Sequence, residues 1–184
     1  MPLTEDQLRT AYPALFAPTR WGNVTLTGFH LHATWPDIAL VQSVNVVPFI
    51  EDRVVVATTR DGYLILPGGT RELGETLEET GRRELHEETG ATFLTCTPFA
   101  YWDCFSADAK PWRPFLSHPN FTRAVAWSEV ELIGDPTSPE GAEQIDAVHV
   151  LTLGEAIDRF RSGNRPELAD IYQLAAEIRN LPVG

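Results

Sequence analysis

The chain has 184 residues, 26 acidic and 14 basic side chains, and a formal net charge of −12 at pH 7. A chain of this length can bury a substantial core as one domain. A surface that binds a nucleic-acid polymer needs clustered Lys and Arg, so the negative net charge argues against such a partner. The sequence has no apolar run that could span a bilayer and opens without a basic segment followed by an apolar one. We therefore predict a cytoplasmic protein without a membrane partner.

Residues 1–42 are predicted to form an N-terminal extension made of a helix and a strand. Residues 4–12 have the pattern of a short capped helix, and residues 23–32 alternate with the period of a strand. The extension is consistent with a homodimer in which Trp21 and Trp35 lie at the interface. Packing of both tryptophans within the core is an equally good interpretation.

Residues 43–184 form the predicted main domain, an α/β/α sandwich with a mixed β-sheet. Segments with strand character are 44–50, 53–59, 63–66, 122–133 and 147–151, together with 91–105, which we predict as one long or bent strand. Predicted helices are 76–89, 153–160 and 167–179. Strands on both sides of a helix, closed by C-terminal helices, are typical of this architecture.

Acidic side chains share the apolar face of the predicted helix 76–89. At about 100° per residue, Glu84 and Glu88 fall almost over Leu77, and Glu87 lies close to them. Carboxylates in this arrangement repel one another unless a cation lies between them. Oxygen ligands favour Mg²⁺, Mn²⁺ or Ca²⁺ over zinc, and a site with few protein ligands fits Mg²⁺ best. A solvated acidic face is the common alternative, but it would place these charges on the opposite side of the helix.

The same segment resembles the Nudix box. The positions that the family specifies are occupied by Gly69, Glu75 and the run Arg-Glu-Leu-His-Glu-Glu-Thr-Gly at 83–90. Two positions depart from the usual pattern, since Ala91 replaces a bulky aliphatic residue and Gly81 stands where the family often has Ala. The resemblance covers residues 44–160 and implies the Nudix fold. It also implies a Mg²⁺-dependent hydrolase, with Mn²⁺ as a substitute, in which water attacks the phosphorus of a nucleoside diphosphate derivative or nucleoside triphosphate.

The resemblance also implies roles for individual residues. The implied metal ligands are Glu84, Glu87 and Glu88, with Glu75 and the carbonyl of Gly69 reaching the same cluster. Arg83 is expected to pair with Glu75 and to orient the loop against the helix. The catalytic base is either a glutamate of the box, with Glu84 and Glu87 as catalytic candidates, or an acid from the later segment 138–143. Within that segment we favour Glu143, although an exposed loop acid is the simpler interpretation.

Residues 106–122 form a long connection that contains three prolines and several large aromatics. Trp112 and Phe115 predict a lid that stacks on a planar substrate group, and Arg113 could reach a phosphate, although an ordinary surface arginine is the simpler interpretation. Packing of the loop on its own domain is an equally consistent alternative.

Two other functions fit parts of the pattern. Isoprenyl-diphosphate isomerases carry a related box, but they need a catalytic Cys beside a Ser-His-Pro sequence ahead of it. Here Ser117-His118-Pro119 follows the box without an adjacent Cys. A non-catalytic nucleotide-sensing module would keep the fold, but an intact glutamate cluster argues against it. ADP-ribose, a dinucleoside polyphosphate, a sugar nucleotide and a damaged nucleotide all stay open as substrates, because the box contacts only the diphosphate.

Overall fold

The computed structural model describes residues 4–139 and 143–180. The helices are α1 (Glu5–Ala11), α2 (Pro13–Phe16), α3 (Leu77–Thr89), α4 (Leu153–Ser162) and α5 (Pro166–Arg179). The strands are β1 (Thr19–Trp21), β2 (Val24–Leu31), β3 (Val41–Ile50), β4 (Arg53–Thr59), β5 (Leu64–Ile65), β6 (Gly68–Thr70), β7 (Ala91–Phe93), β8 (Thr97–Ser106), β9 (Asn120–Leu132) and β10 (Ile145–Thr152).

The strands form one mixed, ten-stranded sheet. Its main path runs β1-β2-β8-β9-β3-β4-β10, while β5 pairs with β4, β6 with β3 and β7 with β9. The central pair β3 and β9 is parallel, and the other pairs are antiparallel. Since the two parallel strands lie side by side, residues from distant parts of the sequence meet at the centre of the sheet.

Helices cover both faces of the sheet. Strand β3 is buried along almost its whole length, as expected when neither face of a strand reaches water. Val46 packs with Leu85 of α3 on one face, whereas Val47 belongs to the cluster on the other face that includes Phe160 of α4. The predicted α/β/α sandwich with a mixed sheet is confirmed.

The N-terminal segment joins the same sheet and core. Strand β2 pairs with β8, and α2 contacts α5. Trp21 packs edge-on against Trp102 with ring centroids 6.0 Å apart, and Trp35 packs against the cluster around Val41. Both tryptophans therefore have partners in their own chain, and the homodimer stays a prediction. Among the described residues, no helix is long and apolar enough to cross a membrane.

The prediction of one strand over residues 91–105 is wrong, because this segment forms two strands, β7 and β8. Both pair with β9, through Phe93 opposite Val130 and Thr97 opposite Trp127. Between these pairs the segment contains one residue more than β9 does, so the register cannot continue. The carbonyl of Glu129 accepts from both Leu94 and Thr95 N–H groups at this break. The extra residue produces an interruption of the kind found at β-bulges.

Candidate metal and substrate site

Helix α3 begins and ends where its local sequence predicts. Thr76 and Glu79 form a capping box, in which each side chain accepts a hydrogen bond from the other residue's backbone N–H. Gly90 ends the helix with φ of 68°, and its N–H donates to the carbonyl of His86. A Cβ at Gly90 would lie 2.0 Å from the carbonyl oxygen of Gly134, so only glycine fits here.

Gly81 lets α3 approach the sheet closely. A Cβ at this position would lie 3.2 Å from Val44 and 3.3 Å from both Val46 and Phe93. These distances are shorter than ordinary van der Waals contacts, so the departure from the usual alanine has a packing reason. The close approach also sets how far the helix carboxylates stand from the loop that precedes the helix.

The glycines of β6 bring the backbone against two of these carboxylates. The N–H of Gly68 donates to Oε2 of Glu88 over 2.9 Å. At Gly69 a Cβ would lie 2.5–2.6 Å from the carboxyl atoms of Glu84. Any side chain at Gly69 would therefore displace Glu84, and the loop and helix form one compact site.

Burial makes the negative charges of this site costly. Glu88 is only 6% exposed, and its burial raises the pKa of its carboxyl to about 8, although the hydrogen bond from Gly68 opposes the shift and Glu84 and Glu143 add to it. Burial also raises the pKa of Glu84, against the opposing effect of the Arg83 guanidinium. A cation between these carboxylates would relieve this cost.

Arg83 supplies positive charge to the site in this structure. Its Nε donates to Oε1 of Glu75 over 2.7 Å, so the predicted pair is present. Its Nη1 donates to Glu84 over 2.7 Å and to Glu87 over 3.4 Å. Burial raises the pKa of Glu75, but the hydrogen bonds from Arg83, the backbone N–H of Glu72 and the Thr80 hydroxyl lower it below its ordinary value. Glu75 is therefore held as an anion that fixes Arg83.

The donor set fits a hard divalent cation, but it is not a ready-made cage. Among residues 4–139 and 143–180, no three His, Cys, Asp or Glu side chains are arranged to enclose a metal ion. Arg83 contacts Glu84 and Glu87 instead. A cation would therefore take the place of the guanidinium at these two carboxylates, while Glu75 continues to hold the arginine. Carboxylate ligands with backbone oxygens nearby are the set that Mg²⁺ and Mn²⁺ prefer.

The segment before Glu143 is anchored to the end of α3. The N–H groups of Thr137 and Ser138 donate to the carbonyl of Glu87 over 3.0 and 3.2 Å. Glu143 lines the same cavity as Glu88, and its charge contributes to the raised pKa of that carboxyl. Its role as a base stays a prediction. Glu140, the other acid of this segment, lies outside the described residues.

A cavity of about 540 Å³ adjoins Glu88 and is lined on one side by the connection between α4 and α5. Its lining combines three arginines with polar and aromatic groups; the main members are Arg20, Trp21, Asn45, Tyr63, Arg123, Glu143 and Arg165. Sequence reasoning missed Asn45, Arg123 and Arg165. For Arg123 the sequence did offer a signal, because a charged residue stands directly before the apolar run Ala124-Val125-Ala126 of a buried strand.

The three predicted lid residues do not line this cavity. Trp112 is 80% exposed, and Arg113 pairs with Glu72 over 3.2 Å. Phe115 lies under the guanidinium of Arg71, with 5.3 Å between the guanidinium carbon and the ring centroid. The segment packs beside the loop that precedes α3, and its contact with substrate stays a prediction.

The chain is similar in sequence to a known family and in fold to known structures. A family model described as the NUDIX domain matches residues 39–172, which is more than half of the chain. The fold is similar to a pyrophosphohydrolase from Bacillus subtilis, with a TM-score of 0.52, 17% identity, and coverage of 67% of this chain and 71% of that one. It is also similar to a NUDIX hydrolase from Nitrosomonas europaea, with a TM-score of 0.52, 18% identity, and coverage of 74% and 86%. A search among curated proteins found no significant match.

The fold and the box together define a protein of the Nudix class, as the sequence predicted. The chain belongs to the NUDIX family.

Proposed function

We propose that this protein uses a divalent cation, Mg²⁺ or Mn²⁺, to hydrolyse the diphosphate linkage of a nucleoside diphosphate derivative or a nucleoside triphosphate. The observation that carries the proposal is the set of three glutamates on the buried side of α3, of which Glu88 is almost completely buried. Such a set is tolerated when a cation compensates its charge. A small nucleotide is the proposed partner, since an anionic protein of this composition lacks the basic surface that a nucleic-acid polymer requires.

Glu84, Glu87 and Glu88 are the proposed ligands, together with the backbone carbonyl of Gly69. When bound, a divalent cation supplies charge neutralisation at the phosphoryl oxygens and lowers the pKa of a coordinated water. Glu75 was also a predicted ligand, but both of its oxygens already accept hydrogen bonds from Arg83 and neighbouring groups. We therefore propose that Glu75 acts mainly by orienting Arg83.

Glu143 is the proposed base that accepts a proton from the attacking water. Two features support this assignment. The residue lines the cavity that Glu88 adjoins, and the preceding segment is held by hydrogen bonds to the carbonyl of Glu87. A base must lie within hydrogen-bond reach of the water it activates, and this position at the edge of the carboxylate cluster suits that task.

The named activities of structural relatives support a diphosphate substrate. One relative is a pyrophosphohydrolase, and another, with a TM-score of 0.50 and 15% identity over 76% of this chain and 75% of that one, is described as an ADP compounds hydrolase. The isomerase alternative gains no support, because burial raises the pKa of the Cys96 thiol to about 12 and that of Cys104 to about 11. Neither thiol is prepared for catalysis at neutral pH.

The test is a panel of nucleotides assayed with Mg²⁺, with the products identified. Glu87→Gln should abolish turnover of whichever substrate reacts, because the substitution removes a ligand charge while keeping the side-chain shape. Glu78→Gln is a matched control on the same helix, since Glu78 is exposed and, among the described residues, forms an ion pair only with Arg82. Near-wild-type turnover by Glu87→Gln, or an equal loss in both variants, would contradict the proposed role.

A further inference from the structure

Arg123 lies in the wall of the cavity beside Glu88, where it has few partners. Its Nη1 donates to Oδ1 of Asn45 over a long 3.4 Å, and its guanidinium carbon lies 4.8 Å from the centroid of the Trp21 ring. Its Nε is buried and has no hydrogen-bond partner among the described residues. The Cys104 thiol interacts with the guanidinium, but burial raises the pKa of that thiol to about 11, so it carries no compensating charge at neutral pH.

Three other partly buried arginines are paired with acids, whereas the buried Arg71 donates to the backbone carbonyls of Val41 and Ile38. Arg83 contacts three glutamates, Arg165 pairs with Glu167 over 2.6 Å, and Arg179 contacts Glu129. Within the described residues, no carboxylate oxygen forms an ion pair with Arg123. Burial lowers the pKa of Arg123, which reflects the cost of holding this charge in a partly enclosed cavity wall. A partly buried charge of this kind favours a partner of opposite sign.

Asn45 fixes the direction of this guanidinium. Its Nδ2 donates to the carbonyls of Leu66 and Pro67 over 3.2 and 3.4 Å, which turns its Oδ1 towards Arg123. Asn45 is therefore a positioning residue. It holds the arginine at the cavity wall with a neutral acceptor, so the charge of Arg123 stays available to a ligand.

We propose that Arg123 binds an anionic oxygen group, a phosphate or a carboxylate, on the part of the substrate that extends beyond the hydrolysed diphosphate. Glu88 and Arg123 line the same cavity, so one ligand bound beside Glu88 can also reach Arg123. The planar guanidinium is suited to bind two oxygens of such a group at once. Binding of an anion at Arg123 does not depend on the proposed function. Only the statement that this anion belongs to the substrate rests on it.

This subsite narrows the class of substrate. A nucleotide whose distal group carries a further phosphate or carboxylate gains a charge-assisted hydrogen bond at Arg123, whereas one that ends in a neutral sugar leaves the arginine unpaired. Nucleotides that differ only by this anionic group should therefore differ in kcat/KM in wild type, and the difference should shrink in Arg123→Gln.

The direct test is binding of inorganic phosphate in the presence of EDTA at constant ionic strength. Without a divalent cation the glutamates repel phosphate, so binding reports on the arginine rather than on the metal site. Calorimetry should show saturable binding to wild type, and the tryptophan fluorescence should change because the Trp21 indole lies against the guanidinium. Arg123→Gln should weaken binding about tenfold or more. Acetate in a parallel titration distinguishes a carboxylate subsite from a phosphate subsite.

Arg20→Gln is the matched control, because Arg20 lines the same cavity but is exposed and donates through Nε to the carbonyl of Gly22. It should keep most of the affinity. Absence of binding of either anion to wild type, equal affinity in Arg123→Gln, or equal losses in both variants would overturn the proposal. These results would leave Mg²⁺-dependent hydrolysis untouched, so failure of the subsite and failure of the proposed function are distinguishable.

A second measurement needs no variant and guards against misfolding of Arg123→Gln. Phenylglyoxal modifies accessible arginines, and peptide mass spectrometry resolves the modified sites. The bound anion, phosphate or acetate, should protect Arg123 in the wild-type protein while Arg20 continues to react. Equal modification of Arg123 with and without both anions would overturn the proposal.

Discussion

Gly69→Ala should separate catalysis from stability. The added Cβ would lie 2.5–2.6 Å from the Glu84 carboxyl, whereas ordinary contacts begin at 3.4 Å, so the carboxyl must move by about 1 Å. Gly69 lies outside the positive-φ region, and the atoms it would meet form the flexible end of a side chain. We therefore expect the free energy of unfolding to change by less than about 1 kcal/mol. A displacement of this size at a proposed ligand should lower kcat/KM by about 100-fold.

The assay compares kcat/KM with urea unfolding for Gly69→Ala and Gly74→Ala. Gly74 lies in the same loop with φ of 89°, and a Cβ there would meet nothing within 4 Å. The control should therefore lose about 1–2 kcal/mol of stability through backbone strain but keep its activity while folded. Unchanged kcat/KM in folded Gly69→Ala, or losses of activity that follow stability in both variants, would refute the placement of Glu84 in the catalytic site.

Two further predictions concern titratable groups. In EDTA, the stability of wild type should fall as pH rises from about 4.5 to about 8, because folded Glu88 keeps its proton up to about pH 8 and the unfolded chain releases it near the ordinary value. In urea unfolding, Glu88→Gln should show a shallower decline, to which the raised pKa of Glu84 still contributes, and parallel pH profiles would contradict the burial argument. Since burial raises the pKa of Cys96 to about 12 and of Cys104 to about 11, both thiols should react with a thiol reagent at about pH 8 much more slowly in the native protein than in urea. Equal rates in the native protein and in urea would contradict the burial of these two thiols.

Local signals were sufficient to predict helix α3 and its carboxylates. Thr76 and Gly90 stand at its ends, where the structure shows short-range hydrogen bonds and, at Gly90, a positive φ. The helical period then placed Glu88 on the buried side, and the structure shows it buried. The pairing of Arg83 with Glu75 was likewise accessible because it spans only eight positions.

The cavity was not predictable in the same way because it depends on strand pairing. Asn45 and Arg123 lie 78 positions apart and meet only because β3 and β9 are parallel neighbours. Sequence reasoning instead looked for substrate contacts among the aromatics of residues 106–122. Composition could not show which side of the loop each aromatic faces. Phe121 is buried in the core, whereas Trp112 faces solvent.

Calorimetric titration with Mg²⁺ and Mn²⁺ tests most directly whether the carboxylates of α3 hold a divalent cation. Wild type should show saturable binding, and Glu84→Gln and Glu88→Gln should weaken it, while Glu78→Gln should bind as wild type does. Absence of uptake by the wild-type protein, with or without nucleotide, would contradict the account.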